Sequence, residues 1–480
     1  MQLHLGVTVT ADDAQVMISV TGRLPDGEFR DAIIAMLIRE AAVAKDSDAF
    51  PADLIAAIAQ LEAGTRNRPG TGLRIDPSDD TALRAALLKR VPDQPAYQKL
   101  LGSVQAGTAC MADIAAFAEQ PYGTVLLHRP AGILPAADLA PLLRAAGEKA
   151  ARQAVEAGAC AADLSSLHLL GLLADDDRLR IRSALPSLTV ARSAIDDALL
   201  TRDHVRNLSA ATYTASLAPD GTIDRTAITT TEQALLRTRA ETLETITESA
   251  HASRPATPAG AAADAVAIAR EKHLPLWCDD IALRQKARIA GVAAFSLLDL
   301  ITVLAADGTA FDQPATFRCL AGQYAVDLPL SAADITALAA AADWLPGPGH
   351  TALARPAWWR HHETGWEDTW LQVATQARSH SAEALPTITK AALTGALGHV
   401  SSGYVTQRYQ QIAVLAVIAC HDAGQPPPPG LLDELAQGAD PARVPQPSYV
   451  LAAVISALGK RGVPDPEETA MRLLPGTSLP

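Results

Sequence analysis

Cysteine is scarce: five in 480 residues, at Cys110, Cys160, Cys278, Cys319 and Cys420. They are far apart, odd in number and never in a CxxC pair, which excludes a disulfide scaffold and argues against a structural zinc knuckle. Aromatics are only 4% of residues and charged residues 19%. The 49% hydrophobic content nevertheless excludes bulk disorder. Glycine has no collagen-like period. Also missing are a GxxxxGK(S/T) loop, a GxGxxG after a strand, a GxSxG elbow and an HExxH pair, so nucleotide-binding, hydrolase and zinc-peptidase readings lack their signatures. No long charge-free apolar run is present: Ile289–Ala306 comes closest, but Asp299 lies inside it, at a cost in lipid. That stretch reads as a buried strand followed by a helix. Met1 to Gly6 lacks a basic n-region and a long apolar core, so no signal peptide is expected, no membrane is expected as a partner, and the expected compartment is the cytoplasm.

What is abundant is alanine, 97 residues, and arginine over lysine, 32 to 8. Both are read as the coding bias of a GC-rich genome. Alanine favours helix wherever it falls, which blunts periodicity arguments. The net charge of −13 disfavours binding nucleic acid by broad phosphate neutralisation. It leaves room for a carboxylate site that meets phosphate through metal ions.

The length suggests two to four domains. Residues 1–30 read as a β-hairpin, with Leu3–Thr10 and Gln15–Thr21 flanking Ala11-Asp12-Asp13. A mostly helical stretch follows to about Glu119, punctuated by Pro69-Gly70 and Pro77 to Asp80. Thr124–His128 reads as a strand and Ala136–Ala157 as a helix. Next come strands at Gly158–Ala162, Ser187–Val190, Leu274–Cys278 and Val292–Phe295, with helices between them. A hairpin, Tyr213–Leu217 and Thr222–Ile228 around Pro219-Asp220-Gly221, interrupts the series. Alternating strands and helices imply a parallel α/β sheet. From Ala354 onward the chain reads as all-helical, with Gln425 to Gly430 as a stiff proline spacer. The expected division is a mixed α+β region at 1–135, an α/β domain at 136–310 and a helical region at 311–480.

In open parallel α/β sheets the ligand crevice lies outside the carboxyl ends of the strands. The first strand runs into Asp163 and the third into Asp279-Asp280. Asp196 and Asp197 sit on the helix after the second strand, and Asp264 opens the helix feeding the third. These acids are expected at one end of one sheet.

The run Ala161-Ala162-Asp163-Leu164-Ser165-Ser166-Leu167 resembles the opening strand and Asp-x-Ser of PIN-domain nucleases. Leu188 to Val190 with Ser193 to Leu199 is similar to their second strand and acid-bearing helix. His273 to Arg284, with Ala287, Gly291-Val292 and Phe295-Ser296, resembles the strand ending in (Ser/Thr)-x-Asp, the arginine-bearing helix and the last strand. The likeness covers roughly residues 155–310, about a third of the chain. It implies a Rossmann-like three-layer fold with a parallel sheet, Mg²⁺ or Mn²⁺, and cleavage of RNA, single-stranded or structured. It implies Asp163, Asp197, Asp264 and Asp280 as the catalytic acids, with Asp196 or Asp197, and Asp279 or Asp280, as alternative metal ligands. Ser165 and Arg284 support the site. Cys278 stands where the family has a hydroxyl, and a gapless match would put Ala262 in place of Asp264.

Mg²⁺ and Mn²⁺ take oxygen ligands, and a metal pair can activate water and stabilise the leaving oxygen. Simpler uses compete: Asp279 or Asp280 can cap the next helix, and Asp196, Asp197 and Asp264 suit first helical turns. Asp175-Asp176-Asp177 reads as a solvated loop. The tryptophans at 344, 358, 359, 366 and 370 read as a helical core, and His168 as a buried histidine. His361-His362-Glu363 lacks a second ligand pair. Residues 155–310 carry 20 acids against 15 bases. That balance keeps open a second expectation, a catalytically weak PIN-like scaffold that meets a protein partner through its helical regions.

Overall fold

The computed structural model describes residues 10–21, 33, 34, 37, 50–65, 94–129, 132–135, 138, 140–208, 213–217, 223–227, 230–309, 311–362, 364–437 and 443–477. The chain forms two compact units, Met1–Gln94 with Arg202–Thr238, and Pro95–Thr201 with Arg239–Pro480.

In the first unit, Ala11–Thr21 is a helix and not the second half of a hairpin. Thr10 and Asp13 explain why. Asp13 accepts from the Thr10 amide and hydroxyl, and the Asp13 amide donates back to Thr10 Oγ1, a reciprocal cap. Ala14, Met17, Ile18 and Thr21 then fall at helical spacing, and the first three join Leu37, Phe50, Leu54 and Ile58 in a small core. The 3.6-residue period overrode the β-branched composition. Most of the expected first strand, the Pro69-Gly70 and Pro77 to Asp80 breaks and the turn at Pro219 to Gly221 lie outside the described residues. The strands Tyr213–Leu217 and Ile223–Ala227 pair antiparallel, as the alternating pattern implied.

The second unit is built on a five-stranded parallel sheet. Its strands are β1 (Ala159–Ala162), β2 (Ser187–Ala191), β3 (His251–Ser253), β4 (Leu276–Trp277) and β5 (Ala294–Phe295), in the order β3-β2-β1-β4-β5. Four helices matter before and around it: α1 (Met111–Phe117), α2 (Tyr122–His128), α3 (Pro141–Ala157) and α4 (Leu164–Leu172). Crossovers α5 (Arg192–Leu208), α6 (Ala261–Glu271) and α7 (Ile281–Ile289) link successive strands, and α8 (Leu297–Ala306) follows β5. The strand order reverses between β1 and β4, the place where a doubly wound sheet opens its crevice. The chain is thus mixed α/β with a predominantly helical bulk.

Ile289–Ala306 divides as its sequence implied: a strand, then α8, whose Asp299 closes a capping box with Ser296. Among the described residues no helix is long and apolar enough to cross a membrane. Three local expectations are corrected. Thr124–His128 lies in helix α2, because Asp197 caps its first two amides and Arg129 in the left-handed region ends it. Asp175 to Asp177 open a helix, Asp175–Ala184; Asp177 pairs with Arg180 and accepts from the Thr316 hydroxyl. The proline run is no free spacer: Arg378 donates twice to the Pro426 carbonyl, and Pro428 is buried.

Beyond the sheet the chain is helical. Among its helices are α9 (Pro356–His361), α10 (Trp366–His380), α11 (Ala384–His399) and α12 (Val405–Asp422). Pro346 to Gly349 forms the entry of a helix, Pro348–Leu353, inside this unit. The five clustered tryptophans are all buried. Trp358 and Trp359 direct their indole N–H groups to the Leu330 and Leu353 carbonyls, and the ring of His362 bonds the Leu330 carbonyl as well.

Candidate functional site

Asp163 leaves the carboxyl end of β1 and caps α4. Its Oδ2 accepts from the Ser165 amide at 2.9 Å, the Ser165 hydroxyl at 2.6 Å and the Tyr122 hydroxyl at 3.1 Å. Its Oδ1 is buried without a partner. Burial raises the Asp163 pKa, and the Ser165 and Tyr122 bonds oppose that rise.

Asp279 and Asp280 follow β4. Asp279 Oδ1 accepts from the Leu297 amide at 2.8 Å, and Oδ2 from the Trp277 indole at 3.0 Å. It ties β4 to the start of α8. Asp280 caps α7: Oδ1 accepts from the Ala282 and Leu283 amides, and Oδ2 from the Met111 amide at 2.6 Å. Burial pushes both carboxyls up to about 6, against several amide bonds that favour the anion. Ser165 Oγ also accepts from the Asp279 and Asp280 amides, at 3.0 and 3.1 Å. The Cys278 thiol turns to the Asp280 carbonyl.

On α5, Asp197 accepts from the Tyr122 and Gly123 amides, both at 2.8 Å. Burial raises its pKa, and those two bonds lower it. A Cβ at Gly123 would stand 2.5 Å from Thr201 Oγ1 and 3.2 Å from Leu243, so glycine permits this close approach of α2 and α5. Asp196 is exposed and pairs with Arg192 one turn away. Asp264 is buried at the start of α6, where its carboxylate accepts from Ser193 Oγ at 2.5 Å and the Ala259 amide at 2.6 Å. Ser193 lies in the first turn of α5 and serves Asp264.

Asp163, Asp197 and Asp280 thus meet at one locus, joined by Tyr122 and Met111 and close enough for Asp163 to act electrostatically on the other two. Asp264 has different partners. Arg284 is fully buried: its Nε donates to Asp138 at 3.0 Å and a terminal nitrogen donates to the Cys278 carbonyl at 2.6 Å. Arg288 also reaches Asp138, and Lys286 pairs with Asp113.

The residues absent from the sequence reading are Tyr122, Met111 and Asp138. Tyr122 lies 41 residues from Asp163 and 75 from Asp197, and no local pattern marks it. Among the described residues no group of three or more His, Cys, Asp and Glu side chains is arranged to hold a metal ion. The donor set explains this. Main-chain N–H groups of Met111, Tyr122 and Gly123 point at the carboxylate oxygens that a hard cation would need. In this conformation those amides occupy oxygens of Asp197 and Asp280 that Mg²⁺ or Mn²⁺ would take, while Asp163 Oδ1 has no partner. No protein-family model matches the chain, and neither a curated protein nor a solved structure matches it.

Proposed function

We propose that this chain is a regulatory or scaffold protein on a PIN-like, Rossmann-like three-layer core, whose acids clasp α1 and α2 instead of binding metal. The observation that carries the reading is the set of bonds from Met111 and Gly123 amides, and from both the amide and hydroxyl of Tyr122, into Asp280, Asp197 and Asp163. Buried carboxylates packed together without metal repel one another unless donors compensate them. Here helices α1 and α2 supply those donors, so the cluster works as a structural lock. In this reading the helices beyond Gln313 carry the contacts to a protein partner.

A second reading rests on Asp163 Oδ1, the one buried carboxylate oxygen of the cluster without a partner. If α1 and α2 withdrew, Asp163, Asp197 and Asp280 would be free to hold Mg²⁺ or Mn²⁺ for cleavage of RNA.

Thermal unfolding with millimolar Mn²⁺, alongside cleavage of a fluorescent single-stranded RNA, separates the two. The lock predicts no metal-dependent shift and no cleavage in wild type. A rise in Tm with Mn²⁺ that Asp280→Asn abolishes would overturn it in favour of the metal site.

A further inference from the structure

Helix α12 buries Tyr409, Ile412, Ala413, Ala416 and Val417 against its neighbours. A different stripe, Tyr404, Gln407, Arg408 and Gln411, spaced i, i+3, i+4 and i+7, lines a cavity of about 450 Å³. Trp359 and Trp366 form its aromatic wall, and both are buried. Gly395 of α11 allows the tight seat of Trp359, since a Cβ there would collide with the Leu353 carbonyl that accepts the indole N–H.

Arg408 is the informative residue. Its guanidinium lies 4.2 Å from the centroid of the Trp366 ring. It makes no hydrogen bond or ion pair with any described residue; Glu367 acts on it only through its field. The flat face is therefore occupied by the indole, while the N–H edge remains available. A stacked, partly desolvated guanidinium is held ready for bidentate contact with a carboxylate or phosphate. The side chains of Gln407, Gln411 and Tyr404 likewise have no protein partner among the described residues, and Tyr404 is 62% exposed at the rim. Free amides and an exposed phenol ring converge around one unpaired cation, the kind of polar grouping that orients a ligand in a cavity.

We propose that this cavity binds a small organic anion bearing a flat ring. Its carboxylate or phosphate sits on the Arg408 N–H edge, and its ring stacks on the exposed ring of Tyr404. The assignment is independent of how the acid cluster is read.

Calorimetric titration of the full chain tests it with four probes: AMP, benzoate, adenosine and inorganic phosphate. AMP or benzoate binds, and the one that binds identifies the anion as phosphate or carboxylate. Adenosine, which has the ring alone, and phosphate, which has the charge alone, bind at least roughly tenfold more weakly, the loss of about 1.4 kcal/mol. Arg408→Gln lowers affinity by roughly tenfold or more, as loss of a charged hydrogen bond requires. Tyr404→Ala, at an exposed site, lowers it by roughly three- to tenfold. Binding of neither ring-bearing anion at millimolar concentration would overturn the proposal. So would binding that Arg408→Gln leaves unchanged, or adenosine or phosphate binding as tightly as the combined probe.

Discussion

The Tyr122 hydroxyl donates to Asp163 Oδ2 at 3.1 Å while the Tyr122 amide donates to Asp197 at 2.8 Å. One residue at the start of α2 thereby holds the acid at the end of β1 and an acid on α5. Tyr122→Phe keeps the ring and the amide and removes only the hydroxyl. Asp163 then retains Ser165 alone. Loss of one hydrogen bond to a buried charged group predicts a decrease of about 1.5–3 kcal/mol, read as a shift in the urea midpoint. A variant as stable as wild type would show that the hydroxyl plays no part in seating α2.

Ser165 is the second pivot. Its Oγ donates to Asp163 and accepts from the Asp279 and Asp280 amides. Ser165→Ala leaves two buried N–H groups without an acceptor, which predicts a loss of about 2–4 kcal/mol. Ser165→Ala and Tyr122→Phe both act on Asp163, so their effects should couple by about 0.5 kcal/mol or more. Ser193→Ala acts on Asp264, whose partners are separate, and should add to Ser165→Ala. Additivity in the first pair, measured by a double-mutant cycle, would mean the acids do not form one cluster.

Burial raises Asp279 and Asp280 to about 6 in the folded protein, while an unfolded aspartate titrates near 4. Between those values the folded state holds protons that the unfolded state has released. Their contribution is therefore fully present below pH ~4, falls as pH rises to ~6, and is flat above. Asp163 and Asp197 are raised too and act in the same direction. Asp113 and Asp334 are lowered and act the opposite way at acid pH. The readout is thus the difference between wild type and Asp279→Asn. That difference should change with pH between ~4 and ~6 by up to about 2–3 kcal/mol. A constant difference across this window would show that Asp279 titrates normally.

The alternation of strands and helices from 158 to 306 was legible because buried strands and capped crossovers leave strong local marks. Asp163 and Asp280 were visible as strand-end acids, and Asp280 as a cap. Their companions were not. A short apolar run such as Thr124–His128 has no period that separates strand from helix. What made it helical was a carboxylate on α5, 75 residues away in sequence. Asp264 shows the same limit: it begins a helix as expected, yet Ser193 and Ala259 take its lone pairs, and sequence spacing cannot show which donors will arrive. The proline run read as a spacer because Arg378, which bonds it, lies 48 residues earlier.

Arg284 and Asp138 supply the last prediction. Both side chains are fully buried, and the guanidinium joins Asp138 on one side to the Cys278 carbonyl at the end of β4 on the other. Arg284→Ala would leave the buried Asp138 carboxylate to Arg288 alone and remove the donor to the Cys278 carbonyl, at a cost of up to about 3–5 kcal/mol. Arg284→Lys should recover only part, because a single ammonium cannot reproduce the planar fork that serves both acceptors. Removing both charges is different. Arg284→Met with Asp138→Leu leaves Arg288, 16% exposed and still bonded to the Ala294 carbonyl, as the remaining cation. The double variant should therefore be more stable than Arg284→Ala when measured by chemical denaturation. If it is less stable, the ion pair contributes more than it costs to bury, and Arg284 stabilises the end of β4 by attraction as well as by satisfying Cys278.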